Sequence, residues 1–355
     1  MNKKIRIKDI ASLAGVSQGT VDRVLHNRGD VAQETRDQVL SIIEKMGYTP
    51  NLIAKSLASK KRYRIAILIP DADKDNPYWE KPLVGINQGL EEIRDFNGEI
   101  DLHTFDLNKR ETFIQEFNKI MRTNPDGLIF SPMFYLTSSI IVKSCEEKNI
   151  PYVFIDVNLE NCNNLAYFGQ NSVQSGFLAA RLMNYGLSDQ ANILVLKMAD
   201  MEGTIHHLAE RESGFMNYFE TVERIKHVNI SSIVLNTSNN ENIETTLTKN
   251  MFSISNSNGI FVPNSRAYRI AHFLETNGIS KILLIGYDLL EQNLSYLEKG
   301  VISFLIHQKP EEQGYKSVTS LFYYLFANKQ IEKINYTPIE IIMKENIDYY
   351  KNLKN

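Results

Sequence analysis

At 355 residues, with 43% hydrophobic and 23% charged side chains, the chain exceeds what one hydrophobic core fills; its composition excludes wholesale disorder and predicts two or three compact units. No apolar run approaches a membrane span, and the basic start at Lys3, Lys4 and Arg6 leads into Lys8 and Asp9 rather than into a signal core. The net charge of -3 conceals an asymmetry, because residues 1–62 hold 12 Lys and Arg against 6 Asp and Glu, whereas the remainder holds 27 against 36.

A basic front on an acidic body points to a polyanionic partner for the front alone. Within "IKDIASLAGVSQGTVDRVL", Ile10, Ala11 and Ala14 lie three and four apart, and Val21, Val24 and Leu25 repeat that spacing after a break. The pattern predicts two short helices sharing one small core. Gly15 suits the positive φ of the turn between them, Val16 seals the corner, and Ser17 caps the second helix. This is a helix-turn-helix pattern, in which the second helix enters the DNA major groove. A third helix is predicted from Gln33 to Met46, with Val39, Ile42, Ile43 and Met46 facing the pair and Gly47 ending it. Ala32 lacks the side-chain oxygen of a good N-cap, at a cost of about 1 kcal/mol.

Next comes "PNLIAKSLASKKR", whose Leu52, Ile53, Ala54 and Leu57 form one apolar side of a helix barely two turns long. Helices this short are unstable alone, so folding on binding is expected. From residue 64 strands and helices alternate. "YRIAILIP", "IDLHTFDL", "DGLIFSP" and "IPYVFIDV" read as strands, with helices over Leu83–Arg94 and Arg110–Thr123, and "NILVLKM", "SSIVLN", "GIFVPN" and "KILLIGYD" continue the series. Such alternation predicts an α/β body of two doubly wound lobes with parallel sheets, binding ligands beyond the carboxyl ends of the strands.

Those ends carry the informative residues. "NPYW" (Asn76, Tyr78, Trp79) follows the first strand, Asp156 ends the fourth, "GQN" (Gln170, Asn171) opens the second lobe, and Asn264, Asp288 and Gln308 end later strands. Arg211 adds a bidentate donor. Aromatic faces suit the C–H face of a sugar ring, and amides and carboxylates suit its hydroxyls. No phosphate loop, dinucleotide fingerprint, nucleophile elbow or H-E-x-x-H occurs, and adjacent His206 and His207 cannot both face one metal from a regular helix. Cys145 and Cys162 make no disulfide framework. The expectation is no catalytic residue, no metal and no cofactor.

The head and hinge motifs, and more loosely the whole chain, resemble the lactose-repressor (LacI/GalR) family of bacterial transcription regulators. The resemblance implies that Gln18, Gly19 and Arg23 fall where bases are read, and Ser17 and Thr20 where phosphates are held. Gly19 has no side chain to read with, so Gln18 and Arg23 carry more of the recognition; the Asp22 carboxylate repels phosphate unless it reads a cytosine amino group or pairs with Arg23. The resemblance also makes Leu57 a minor-groove wedge, with Ala54 at the close approach of two hinges and Lys55 near the backbone. The body resembles the type I periplasmic sugar-binding fold, with Asn76, Tyr78, Trp79, Asp156, Arg211, Asn264, Asp288 and Gln308 at ligand-contacting positions and Gln170 and Asn171 as weaker candidates. Val157 and Ser265 stand where that fold has an arginine and an aspartate.

The organisation expected is a DNA-binding head at 1–50, a hinge and linker at 51–63, and an effector-binding and dimerisation body at 64–355. Its first lobe comprises about 64–169 and 309–337, its second about 170–308 and 338–350. The expected protein is a cytoplasmic, sugar-responsive regulator binding near-palindromic double-stranded DNA as a homodimer, since "KENIDYYKNLKN" has no leucine heptads. The competing reading is a sugar-binding transport or sensory receptor without DNA function.

Overall fold

Gly15 adopts a left-handed φ of 65° and turns the chain between α1 (Ile7–Ala14) and α2 (Gln18–Leu25). The Val16 N–H donates to the Ala11 carbonyl at 3.0 Å, which closes the corner. Ser17 Oγ accepts the Thr20 N–H at 3.1 Å, satisfying one of the orphan donors at the start of α2. α3 (Gln33–Met46) covers the pair. Ile10, Ala11, Ala14, Val21, Val24 and Val39 form the buried core, with Ile42 and Ile43 partly buried against it, and Met46 is half-buried at the helix end.

These helices belong to one of two compact units, Met1–Lys60 and Lys61–Asn355. The computed structural model describes residues 5–25, 28–29, 31–46, 56, 61–73, 77–199, 206–222, 227–236 and 243–351. The expected stop at Gly47, the hinge residues Ala54, Lys55 and Leu57, and the candidate Asn76 lie outside the described residues.

In the second unit the alternation builds two sheets. β1 (Tyr63–Pro70), α4 (Glu80–Arg94), β2 (Gly98–Phe105), α5 (Arg110–Arg122), β3 (Gly127–Phe130), α6 (Tyr135–Glu147), β4 (Tyr152–Asp156) and β5 (Ala166–Gly169) make most of the first lobe. The second follows with α7 (Ser172–Gly186), β6 (Ala191–Ala199), α8 (His206–Thr221), β7 (Val228–Asn236), α9 (Ile243–Lys249), α10 (Met251–Ser255) and β8 (Gly259–Phe261). It continues through α11 (Ala267–Thr276), β9 (Leu283–Tyr287), α12 (Glu291–Glu298) and β10 (Phe304–His307). The chain returns to the first lobe for α13 (Pro310–Ala327) and β11 (Ile334–Tyr336), then ends in the second with β12 (Glu340–Ile342) and α14 (Ile347–Lys351).

The sheets have matching strand orders, β11-β5-β4-β3-β1-β2 and β12-β10-β9-β8-β6-β7. All pairings are parallel except β10 with β12 at the edge of the second sheet, a short antiparallel addition to the expected pattern. β1 is buried along its whole length except at Arg64, as a strand covered on both faces must be. α4 begins at Glu80, three residues before the expected start, because Pro82 falls in the first turn, where a missing N–H costs nothing. β5, β11 and β12 are not among the strands expected from the sequence.

Between the sheets the chain crosses three times, after β5, β10 and β11. Gln170 Nε2 donates from the first crossing to the His307 carbonyl at 3.1 Å and the Pro338 carbonyl at 3.3 Å. Thr337 Oγ donates to the Gln308 carbonyl at 2.9 Å, and its N–H to the Gly169 carbonyl at 2.8 Å. Hydrogen bonds therefore bind the three crossings to one another.

Candidate functional site

The parallel strands of both sheets end facing the space between the lobes, and the expected polar residues gather there. From the first lobe come Tyr78, in the tight turn Pro77–Trp79, and Asp156, the last residue of β4. The Tyr78 hydroxyl donates to Asp156 Oδ1 at 2.6 Å. Trp79 is buried edge-on against Tyr78, their ring centroids 5.3 Å apart, so Tyr78 takes the inter-lobe position and Trp79 braces it.

From the second lobe come Arg211 on α8, Asp288 directly after β9, and Gln308 directly after β10. Gln308 stands between the other two: Arg211 Nη2 donates to its Oε1, and its Nε2 donates to Asp288 Oδ2 at 2.8 Å. Arg211 Nη1 donates to the Pro263 carbonyl at 2.7 Å, and the guanidinium lies 4.0 Å from the ring centre of Tyr287. Asp288 is 2% exposed, and its Oδ1 has no hydrogen-bond partner; Arg211 Nε is likewise buried without one. Uncompensated burial of this kind costs free energy that a ligand can recover.

Burial governs the ionisation of the cluster. It pushes the Asp288 carboxyl up to about 7, against the opposing pull of Arg211 and the Gln308 hydrogen bond. Asp156 is also raised by burial, held back by the Tyr78 hydrogen bond and by Arg211. The Tyr78 hydroxyl is raised by burial and by both carboxylates, which places groups from the two lobes within electrostatic reach of one another. A cavity of about 570 Å³ opens beside them, lined by Tyr78, Asp288, His307, Lys81 and Glu311 among others. Its size is that of a small-molecule site.

Close helix packing sets Arg211. A Cβ on Gly176 of α7 would lie 1.9 Å from the Arg211 carbonyl, and one on Gly214 of α8 would lie 1.9 Å from the Val173 carbonyl. Only hydrogen at these positions lets α8 approach α7 closely enough to put the arginine under the cleft.

The remaining candidates are engaged elsewhere. Asn171 caps α7, accepting the Gln174 N–H at 2.9 Å, and Gln170 ties the crossings together. Asn264 donates to the Met198 carbonyl at 2.9 Å and accepts the Arg266 N–H at 3.1 Å, so both ends of its amide hold the turn after β8. Three supporting residues were absent from the sequence reading. The Tyr167 hydroxyl donates to the Asp156 carbonyl at 2.9 Å, Asn293 Nδ2 to the Asp288 carbonyl at 3.0 Å, and Tyr287 lies under Arg211. Tyr287 adjoins Asp288 in "LLIGYD", the one signal that could have found it.

In the helical unit, Gln18, Gly19, Thr20 and Arg23 lie on α2, with Ser17 at its N-cap. Asp22 pairs with Arg28 at 3.7 Å, a partner the sequence reading did not name. Among the described residues no helix is long and apolar enough to cross a membrane, and no group of His, Cys, Asp and Glu could hold a metal ion. Burial pushes the Cys145 thiol up to about 12, which makes it unreactive.

Residues 6–51 match the family described as bacterial regulatory proteins, lacI family, and residues 65–329 match the periplasmic binding protein domain. The ribose operon repressor of Bacillus subtilis (strain 168) is 31% identical over 190 residues, 53% of each chain. The chain thus spans about half the length of that curated relative. A structure from Bacteroides fragilis assigned as a LacI transcriptional regulator is 30% identical with a TM-score of 0.75, covering 82% of this chain and 100% of its own. GanP, a glucose-galactose binding protein from Geobacillus stearothermophilus, has the same fold at 21% identity and a TM-score of 0.70, covering 81% of this chain and 99% of its own.

Proposed function

Because this chain belongs to the lacI family of bacterial regulatory proteins, we propose that it is a sequence-specific repressor of carbohydrate genes whose hold on operator DNA is set by a small sugar between its lobes. The observation that carries the reading is the buried polar cluster drawn from both lobes, with Asp288 Oδ1 and Arg211 Nε still unsatisfied. A polyol bridging Tyr78 and Asp156 on one side and Arg211 and Asp288 on the other stabilises the closed arrangement by its differential affinity for it.

On the DNA side, Arg23 and Gln18 read guanine and adenine edges from α2, while Ser17 and Thr20 hold phosphate. Gly19 contributes close backbone approach. The hinge residues Ala54, Lys55 and Leu57 belong to this reading as the minor-groove element. A homodimer presenting two heads to a near-palindrome, working in the cytoplasm without catalysis, metal or cofactor, completes it. The relatives named above support this, being regulators and a sugar-binding protein.

Gel-shift titration on candidate operators, repeated with and without a monosaccharide panel, tests the reading. Salt-sensitive, sequence-selective binding that a sugar changes is the expected result. Sugar binding with no DNA affinity would transfer the protein to the receptor class.

A further inference from the structure

Building on the reading of the cleft as an effector site, we propose that it accepts uncharged or amino-bearing sugars and rejects sugar phosphates and sugar acids.

Among the described residues two carboxyls, the buried Asp288 and the half-buried Asp156, lie within electrostatic reach across the cleft. Arg211 is the cation that acts on both. One N–H of each Nη is engaged, from Nη1 to the Pro263 carbonyl and from Nη2 to Gln308 Oε1, and the guanidinium face lies on Tyr287. The Tyr78 hydroxyl is engaged with Asp156 Oδ1, and one N–H of Gln308 Nε2 with Asp288 Oδ2. The buried Nε of Arg211 has no partner. Nearby, Lys81 is paired with Glu311 at 3.3 Å, which leaves no net positive charge from that pair.

Opposite these donors stands the unsatisfied acceptor Asp288 Oδ1, on a residue that lines the inter-lobe cavity. A sugar hydroxyl or ammonium group supplies the missing proton donor. An anionic oxygen meets two carboxyls whose charge a single guanidinium opposes. Like charges brought together in a water-poor site are a repulsive element of the kind that generates specificity.

Calorimetric titration of the full-length protein at pH 8, where the Asp288 carboxyl is ionised, with matched pairs tests the assignment: D-glucose against D-glucuronate, D-ribose against D-ribose 5-phosphate, and D-glucosamine against D-glucose. Within the pair that binds, the anion is expected to be ~100-fold weaker or worse, and the amine at least as tight as its neutral parent. An acid or phosphate that binds as tightly as its neutral counterpart would overturn the proposal while leaving the effector site standing. Failure of every neutral, amino and anionic sugar to bind would remove the effector reading itself, and the proposal with it. Asp288→Asn removes one negative charge while keeping the side chain's shape. In this variant the gap between neutral and anionic partners should narrow at least ~10-fold. An unchanged gap in a folded variant would assign the discrimination to shape and refute the charge argument.

Discussion

Asp156 and Asp288 occupy equivalent places in the two lobes: each stands at the carboxyl end of the third strand from the corresponding edge of its sheet, each with a left-handed φ of 67°. Aspartate is among the few residues that tolerate that conformation. Both backbone carbonyls are clamped, Asp156 by the Tyr167 hydroxyl and Asp288 by Asn293. The likeness extends to Gln170 and Gln308, each directly following the next strand of its sheet, although one serves the crossings and the other the cleft. Two half-sites of one design thus face each other, differing in what surrounds the carboxyl.

That difference has a pH signature. The Asp288 carboxyl is raised from 3.8 to about 7, chiefly by burial, with Arg211, Gln308, Asp156, Glu311 and Tyr78 around it. A group whose folded pKa is raised lends full stability below its unfolded pKa and loses it as pH rises through the folded value. Asp288→Asn should therefore raise the melting temperature at pH 8, by roughly 2–4 °C per kcal/mol recovered, and the gain should vanish below about pH 4. A gain equal at pH 8 and pH 4 would refute the linkage.

Gly176→Ala tests how Arg211 is set. The added Cβ would meet the Arg211 carbonyl at 1.9 Å, so α8 must shift, at a cost of about 1–3 kcal/mol. Sugar affinity should fall at least tenfold, whereas Gln174→Ala on the exposed face of α7 should change neither stability nor affinity. Retained sugar affinity in a destabilised Gly176→Ala protein would separate helix spacing from arginine placement.

Arg23→Ala should cost about 1–3 kcal/mol on the correct operator and much less on random DNA. Equal losses on both would reassign Arg23 to phosphate.

Val39→Ala opens a cavity in the small core of the helical unit, where Val39 is fully buried. A loss of about 2 kcal/mol is large for so few residues, so operator binding should weaken steeply. Sugar affinity measured by calorimetry should not move, because the residues proposed to contact the sugar all belong to the second unit.

Legibility in the sequence followed the range of the interactions. The helical unit could be read almost residue by residue, because Gly15, Ser17 and the apolar spacing act within one or two turns. Tyr78, Asp156, Arg211, Asp288 and Gln308 could be marked because each follows a recognisable strand or carries an unusual donor set. Tyr167 and Asn293 could not, since each acts on a backbone carbonyl of another element, Tyr167 from β5 on the end of β4 and Asn293 from α12 on a loop that follows β9. Asn264 follows its strand much as Asp288 does, yet its amide is consumed by backbone groups, a distinction no one-dimensional pattern encodes. Asp22 likewise took Arg28 rather than Arg23, since 22 and 23 are neighbours and do not face each other on a helix.

The cross-linked crossings determine how many ways the lobes can move. Three independent connections would permit bending, twisting and sliding in any mixture, and a ligand's free energy would be spread over all of them. Gln170 and Thr337 lace the connections into a single band, so shear of one against another breaks hydrogen bonds while bending of the band as a whole does not. The soft coordinate is then close to one-dimensional. A molecule small enough to touch only a handful of side chains can command it, because little of its binding energy is lost to motions that lead nowhere.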